Sequence, residues 1–504
     1  MGGKTGAFVK KNGFDNALYV QKQTEQIKKR IASFGNKLYL EFGGKLFDDF
    51  HAGRVLPGFD VNGKIRLLLE FKEEAEIVFC INAADIEKNK IRADLGISYD
   101  MDVMRLIDNI RKLGLYVSSV VITQYLGQPA ADVFKDKLAM RGMKVYIHRH
   151  TKGYPSDTDT IVSDEGYGAN PYIETSRPLV IITAPGPGSG KLATCLSQLY
   201  HEYKRGIQAG YAKFETFPIW NIPLKHPVNL AYEAATADLK DVNMIDPFHL
   251  ETYGEKAVNY NRDVEVFPIV KTILTKIMGD PNIYNSPTDM GVNMAGYGIC
   301  DDEAVRNAAK QEIVRRYYKA GCEHKLGRVD QDTVRKIELL MQQAAVSTAD
   351  RAVVGAALDK AARYENTSAV AIELNDGTMI TGRTSELMSA SSAVVLNAVK
   401  VLAGIADEVL LLSPVVLEPM MKLKNTVLKN GDNRLHLDEA LIALSICAAN
   451  NSMVKDALDK LGELKGCEAH STTMLRSDEE GVFRKLGINL TCEPEFPTRD
   501  LFFM

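Results

Sequence analysis

A multi-domain α/β protein is predicted by three features of this 504-residue chain. Residues 14–225 alternate strand-like and helical segments. Residues 226–350 lose their strand signals and keep helical spacing. Residues 351–504 open on a hairpin signature and return to alternation. At about 150 residues per domain, the length itself suggests roughly three domains. Residues 1–13, "MGGKTGAFVKKNG", read as a flexible lead-in. Their "GGKT" follows no strand and is not a phosphate loop.

The N-terminal elements follow in order. "YVQKQTEQIKKRIASF" has helical spacing. "KLYLEFGG" and "AEIVFCINAAD" read as strands. "DVMRLIDNIRKLGL" reads as a helix ending at a glycine, then "YVSSVVITQY" as a strand. "PAADVFKDKLAMRGM" is a helix and "KVYIHRH" a strand. The polar loop of residues 151–178 leads into the strand "LVIITAP". A loop that long usually has a function of its own. This βαβα order predicts a Rossmann-like parallel layer covered by helices. In the middle region "RDVEVFPIVKTILTKIMG", "DDEAVRNAAKQEIVRRYYKAG" and "QDTVRKIELLMQQAAVSTADRAVVGAALDKAARYE" are helical in pattern.

In the last region "SAVAIELNDGTMITGR" alternates around Asn375-Asp376-Gly377, a short-range hairpin signal. A helix follows over "SELMSASSAVVLNAVKVLAG", with Ser385 as its expected N-cap. "EVLLLSP" is expected as a buried strand. "LDEALIALSICAANNSMVKDALDKLGEL" is helical, "CEAHSTTML" a strand or turn, and "SDEEGVFRKLGI" a final helix.

Composition narrows the function classes. Apolar residues make up 45% of the chain, enough for more than one core. The net charge of -4, with no long basic run, gives no footprint for nucleic acid. No apolar segment is long enough to span a bilayer, so no membrane partner is expected. The start carries no secretory signal, and Gly6 breaks the myristoylation pattern. Seven cysteines without a CxxC pair point to reduced thiols and a cytoplasmic protein.

The stretch with the most chemistry is "LVIITAPGPGSGKLATCLSQL", residues 179–199. A strand feeds a glycine-rich turn, a lysine and a helix. In a standard phosphate loop, G-x-x-x-x-G-K-[ST], backbone N–H groups turn onto phosphate and the hydroxyl binds Mg²⁺. Here Gly190 and Lys191 supply the end of that pattern. Pro185 stands where the first glycine belongs, with Gly186 one place late. Leu192 stands where the hydroxyl belongs, while Ser189 and Thr194 lie to either side. Gly186, Gly188, Ser189, Gly190, Lys191 and Thr194 are the candidate phosphate contacts. The bland alternative is a tight strand-to-helix turn with a solvated lysine.

A second cluster follows the first strand: Gly43, Gly44, Lys45, Asp48, Asp49, His51 and Arg54. Ligands of open α/β sheets bind beyond strand C-terminal ends. Lys45 and Arg54 suit phosphate, and Asp48 or Asp49 suits a metal or a substrate hydroxyl. The alternative is a polar loop with structural glycines. A third candidate is Asp289 with Asn293 and Lys310, near the helix start at Asp301 and Asp302. Those two acids also suit the helix dipole alone. His148 and His150 face one way on a strand and, with Asp157 and Asp159, offer a metal site, though His-x-His alone is a weak signal and no metal is assigned; the acidic, hydroxyl-rich loop could instead order on a nucleotide. Cys467 and His470 read as core residues. No G-x-S-x-G and no HExxH is present.

Several long motifs, among them "LYLEFGGKLFDDFHAGRVLPGF", "TAPGPGSGKLATCLSQLYHE", "SPTDMGVNMAGYGICDDEAV" and "TGRTSELMSASSAVVLNAVK", resemble the mainly bacterial family of domain of unknown function 1846, the UPF0371-type proteins. The resemblance runs from about residue 14 to residue 497. It implies an α/β N-terminal region, a helical subdomain and an α/β C-terminal part in a soluble intracellular protein. It brings no catalytic residues with it. The C-terminal hairpin, helix and strand order is also similar to the cytidine-deaminase fold. The zinc ligands and glutamate of that fold are absent near Ser391-Ser392-Ala393 and Pro414-Val415-Val416-Leu417.

Two functional readings stand. In the first, the protein is a nucleotide- or phosphate-binding enzyme for ATP-dependent phosphoryl transfer or hydrolysis, with ATP and Mg²⁺ as cofactors. Lys191 would then steady developing charge, and an acid from Asp48, Asp49 or Asp159 would handle metal or a proton. In the second, it is a non-catalytic, homo-oligomeric switch governed by a phosphate-bearing ligand.

Overall fold

Six strands of the N-terminal region and one from the middle region form one parallel sheet. In chain order they are β1 (Leu38–Phe42), β2 (Ala75–Asn82), β3 (Tyr116–Tyr125), β4 (Lys144–Arg149), β5 (Leu179–Thr183), β6 (Gly210–Phe214) and β7 (Gly291–Val292). Their spatial order is β7-β6-β1-β5-β2-β3-β4, and every neighbouring pair is parallel. The computed structural model describes residues 12–92, 95–364, 367–428 and 432–498. The lead-in expected at the N-terminus lies outside these up to residue 11.

The sheet is flanked by helices, which is why its central strands are apolar without alternation. All five residues of β1 and all five of β5 are buried. Hydrogen bonds identify one face. Tyr39 donates to Glu202, on the helix Lys191–Lys204, at 2.6 Å. Lys213 on β6 donates to Asp263, at the start of the helix Asn261–Met278, at 2.6 Å. Phe42 and Phe214 point the other way and stack with ring centroids 4.2 Å apart.

The strand order creates a switch point. The chain leaves β1 toward β2, β3 and β4, then returns to insert β5 between β1 and β2. It leaves β5 in the opposite direction, past β1, to β6. Right-handed crossovers of opposite direction put the two outgoing connections on opposite faces. A crevice therefore opens beyond the C-terminal ends of β1 and β5.

The middle region is mainly helical. It also holds a short antiparallel pair, Asn243–Ile245 with Val258–Tyr260, and contributes β7. Contacts divide the chain into two units. Residues 12–233 and 239–309 fall in one, and the described residues from 310 onward fall in the other with 234–238.

The second unit has its own mixed sheet: β8 (Ala369–Glu373), β9 (Met379–Arg383), β10 (Glu468–Ser471) and β11 (Asn489–Cys492). The order is β9-β8-β10-β11, with β8 antiparallel to both neighbours and β10 parallel to β11. The hairpin turns at Gly377, whose N–H donates to the Leu374 carbonyl at 2.9 Å. Two local expectations are corrected here. The helix after the hairpin is Ala390–Leu402, and Ser389 caps it rather than Ser385. No strand forms over 408–414. Leu411 and Leu412 reach the core while Leu410 is exposed, and Pro414 opens the helix Pro414–Lys422 instead. β11 is too short and too polar to have been anticipated. At the start of the helix Ala390–Leu402, Ser389 and Ser391 donate to the buried carboxylate of Glu479 at 2.6 and 3.3 Å.

No helix among the described residues is long and apolar enough to cross a membrane. The seven cysteines are unpaired.

Arg351 locks the second sheet to the helix Ala352–Ala362. Its side chain is 1% exposed. It donates to Glu468 at 2.7 Å, to the carbonyls of Ala469 and Asn489 at 3.0 and 2.8 Å, and to Thr491 at 3.1 Å. Breaking a buried pair from one side typically costs about 3–5 kcal/mol. Arg351→Ala is expected to lower the unfolding free energy in urea by that order. A change under about 1 kcal/mol would mean that the cluster is not a structural anchor.

Candidate functional site

The turn between β5 and the helix Lys191–Lys204 sits at the switch point. It is held by the strands on its far side. Thr123, at the end of β3, donates to the Ser189 carbonyl at 2.8 Å. Asn82, closing β2, donates to the Gly188 carbonyl at 3.3 Å. Gly190 takes φ +79° as the helix N-cap and provides no side-chain cap. That left-handed geometry is nearly free for glycine and strained for any other residue. At Gly186 the limit is space: a Cβ there would lie 2.5 Å from the Tyr99 hydroxyl.

The donors and hydroxyls of the turn are arranged differently. Among the described residues, the N–H groups of Gly186, Gly188, Ser189 and Gly190 donate to no protein group. The first N–H groups of the helix are open by geometry. The side chains of Ser189 and Thr194 instead turn inward, both 1% exposed. Ser189 donates to the Gly186 carbonyl at 2.7 Å, and Thr194 to the Gly190 carbonyl at 2.9 Å. Both hydroxyls brace the turn. Lys191 reaches back over the sheet, with its Nζ 4.0 Å from Glu41 on β1. Glu41 in turn accepts the Tyr211 hydroxyl at 2.9 Å.

Gly43 and Gly44 lie at the end of β1, the strand beside β5. The Gly43 N–H donates to the Phe214 carbonyl at 3.0 Å. Lys64 ties this end to Asp49, with its Nζ 3.2 Å from the Gly43 carbonyl and 3.1 Å from Asp49. Asp49 also caps the short helix Phe50–Val55. The field of Lys64 and His51 holds its carboxyl below the usual range, against the upward push of burial. Asp48 is exposed with φ +55°. Lys45 is exposed, and Arg54 is half-buried on the short helix.

Asp289 and Asn293 flank β7. Asp289 accepts the Tyr253 hydroxyl and the Asn285 N–H, each at 2.9 Å. Asn293 donates to the carbonyls of Thr216 and Pro218 at 3.3 and 2.9 Å, clamping the chain after β6. Asp302 instead pairs with His226 at 2.9 Å. His148 is buried against the Pro171 carbonyl, and burial pushes its pKa down to about 4. His470 sits between Thr491 at 2.9 Å and Glu493 at 3.3 Å.

Sequence reasoning missed the groups on β6 and just after it. Lys213 is the register partner of Glu41, so both point to the same face. Lys213 lies 2.6 Å from Asp263 and 2.9 Å from Glu215, and donates to the Tyr260 hydroxyl. Burial opposes the charge on Lys213, but Asp263 and Glu215 outweigh it and raise its pKa. Burial and the nearby Asp263 push Glu215 up to about 7. The available signals were modest: a charge inside "LYLEF", and the alternation of Tyr211, Lys213 and Glu215 with apolar residues in "GYAKFETF".

Two outcomes test this geometry. Gly190→Ala is expected to cost about 1–2 kcal/mol of unfolding free energy, from its left-handed φ alone. A thermal melt that matches the parent would rule out that backbone geometry. Glu215 has a raised folded pKa, so its contribution is full below pH 4.5 and is lost as pH rises through about 7. Relative to Glu215→Gln, the parent should lose up to about 3 kcal/mol across that window. Parallel pH–stability curves for the two proteins would contradict this.

Comparison with known proteins extends the resemblance over the chain. The profile "Domain of unknown function DUF1846, N-terminal" matches residues 12–345, and "Domain of unknown function DUF1846, C-terminal" matches residues 349–502. A UPF0371 protein of Clostridium botulinum (strain Langeland / NCTC 10281 / Type F) is 58% identical over 498 residues, covering 97% of this chain and 99% of that protein. A UPF0371 protein of Clostridium tetani (strain Massachusetts / E88) is 58% identical over 500 residues, covering 98% and 99%. By sequence and by the extent of the match, the chain belongs to the DUF1846 family.

Proposed function

We propose that the protein binds a small phosphate-bearing ligand on the Gly186–Lys191 turn. One observation carries the reading. Four N–H groups without protein partners precede a helix with no side-chain cap, at the switch point of a parallel sheet. Open N–H groups and the positive end of a helix attract an anion together. Lys191 adds a full charge at the same place. Its tie to Glu41, at 4.0 Å, is long enough to be exchanged for a phosphate oxygen.

The same geometry disfavours the Mg²⁺ arrangement of standard phosphate loops. Leu192 occupies the hydroxyl's place, and Thr194 is committed to the Gly190 carbonyl. Binding, rather than phosphoryl transfer, is therefore the reading supported best.

Thermal shift with inorganic phosphate, sugar phosphates and nucleotides, with and without Mg²⁺, tests it. A ligand at 100 times its Kd adds about 2.7 kcal/mol of stability. The expected result is a shift that does not need Mg²⁺ and is lost in Lys191→Ala. No shift from any phosphate ligand sinks the reading. Mg²⁺-dependent phosphate release from ATP, lost in Lys191→Ala, would replace it with phosphoryl chemistry.

A further inference from the structure

Beyond the C-terminal ends of β6 and β7 lies a cavity of about 200 Å³, within the first unit. Glu215, Asn259, His249, Arg30 and Trp220 are among the residues that line it. Each of the first four commits part of its side chain to the protein and leaves part open. Glu215 receives the Tyr260 hydroxyl on Oε1 at 3.1 Å and the Lys213 ammonium on the same atom at 2.9 Å. Its Oε2 has no donor among the described residues. Asn259, 9% exposed, accepts the Tyr260 N–H through Oδ1, and its Nδ2 has no acceptor among those residues. His249 meets Ser286 through Nδ1 at 3.1 Å and leaves Nε2 open. Arg30 spends Nη2 on the carbonyls of Asp289 and Gly291, which leaves Nη1. Four polar side chains with uncommitted ends thus converge on one cavity, the arrangement that orients a small ligand.

The chemistry of that ligand follows from the lining. Asp263 and Asp289 already balance the cations Lys213 and Arg30, and Glu215 leaves no surplus of positive charge, so an anionic group is disfavoured here. Lys213 is already saturated by Asp263, Tyr260 and Glu215. An open acceptor beside open donors suits hydroxyl groups, which both give and take hydrogen bonds. Trp220, fixed by its indole N–H on the Asn293 carbonyl at 2.7 Å, adds an aromatic wall. The volume is below the roughly 300–1,000 Å³ of pockets for drug-sized ligands, so it suits a single small unit.

The cavity and the phosphate turn are close. The turn follows β5, the cavity follows β6, and only β1 separates those strands. That is about 10 Å at the usual strand spacing. Gly43, at the end of β1, lies against the cavity's acid: a Cβ there would be 3.7 Å from Glu215 Oε1. We infer that this cavity seats the uncharged, hydroxyl-bearing part of the ligand, so that the molecule bound is a phosphorylated polyol or sugar; this rests on the phosphate reading of the turn.

Calorimetric titration of the full chain tests it. The probes are inorganic phosphate, glycerol phosphate, pentose and hexose phosphates, and inositol phosphate. At least one phosphorylated polyol or sugar should bind tenfold or more tighter than inorganic phosphate. Glu215→Gln and Asn259→Ala should each erase most of that advantage and leave inorganic phosphate affinity unchanged. Lys191→Ala should weaken both. If inorganic phosphate binds and no probe exceeds it, or the advantage survives both variants, the cavity assignment is overturned and the turn reading stands. If neither phosphate nor any probe binds, the turn reading fails and takes the cavity assignment with it. Melting curves of the unliganded variants separate these outcomes from failure to fold.

Discussion

Glu41 is a carboxylate on a central strand of a sheet buried on both faces, and it is 8% exposed. Such a group must be met by donors or it costs several kcal/mol. Its needs organise the sheet end. The Tyr211 hydroxyl meets one oxygen, which sets the face of β6 that turns toward the helix Lys191–Lys204. The Lys191 ammonium faces the other, which draws that side chain back over the sheet. Lys213, its neighbour in register, must then balance its own charge elsewhere, and it does so on Asp263 and Glu215. One buried acid thus fixes which groups remain for a ligand.

The turn shows how local hydrogen bonding decides what a glycine-rich stretch can hold. In "PGPGSGKLAT" the hydroxyls look like ligand contacts. In the structure they satisfy carbonyls within the turn itself, three and four residues back. Ser and Thr near helix starts often make such local bonds. What stays open is backbone. Thr123 and Asn82 hold two of its carbonyls from outside, while the N–H groups of Gly186, Gly188, Ser189 and Gly190 stay uncommitted among the described residues. A turn fixed in this way loses little freedom when an anion arrives.

Much of the sheet was legible because period and apolarity coincide in it. The runs that became β1, β2 and β5 are predominantly apolar and almost wholly buried, and β3 is buried through Ser119–Thr123, as parallel strands should be. Legibility failed where sequence signals conflict with packing. "EVLLLSP" reads as a strand, yet it carries a proline that starts a helix and only two leucines that reach the core. β6 was hidden because Lys213 and Glu215 make it look like surface. Those charges are paired with Asp263 and Tyr260, residues about fifty positions away that no local window contains. For the same reason the candidate sites at Gly43–Gly44 and Asp289–Asn293 were visible as motifs, while the cavity joining their neighbourhoods was not.

The late insertion of β5 has a consequence for synthesis. β1 ends at Phe42, but its two neighbours, β5 and β6, begin at Leu179 and Gly210. During translation β1 therefore has no partner strand until well over a hundred further residues have been made. An apolar segment left waiting in this way is an aggregation hazard. A single charge at its fourth position, Glu41, discourages it from stacking on identical segments of other nascent chains. The residue that later anchors the finished sheet end thus also guards the strand before the sheet exists.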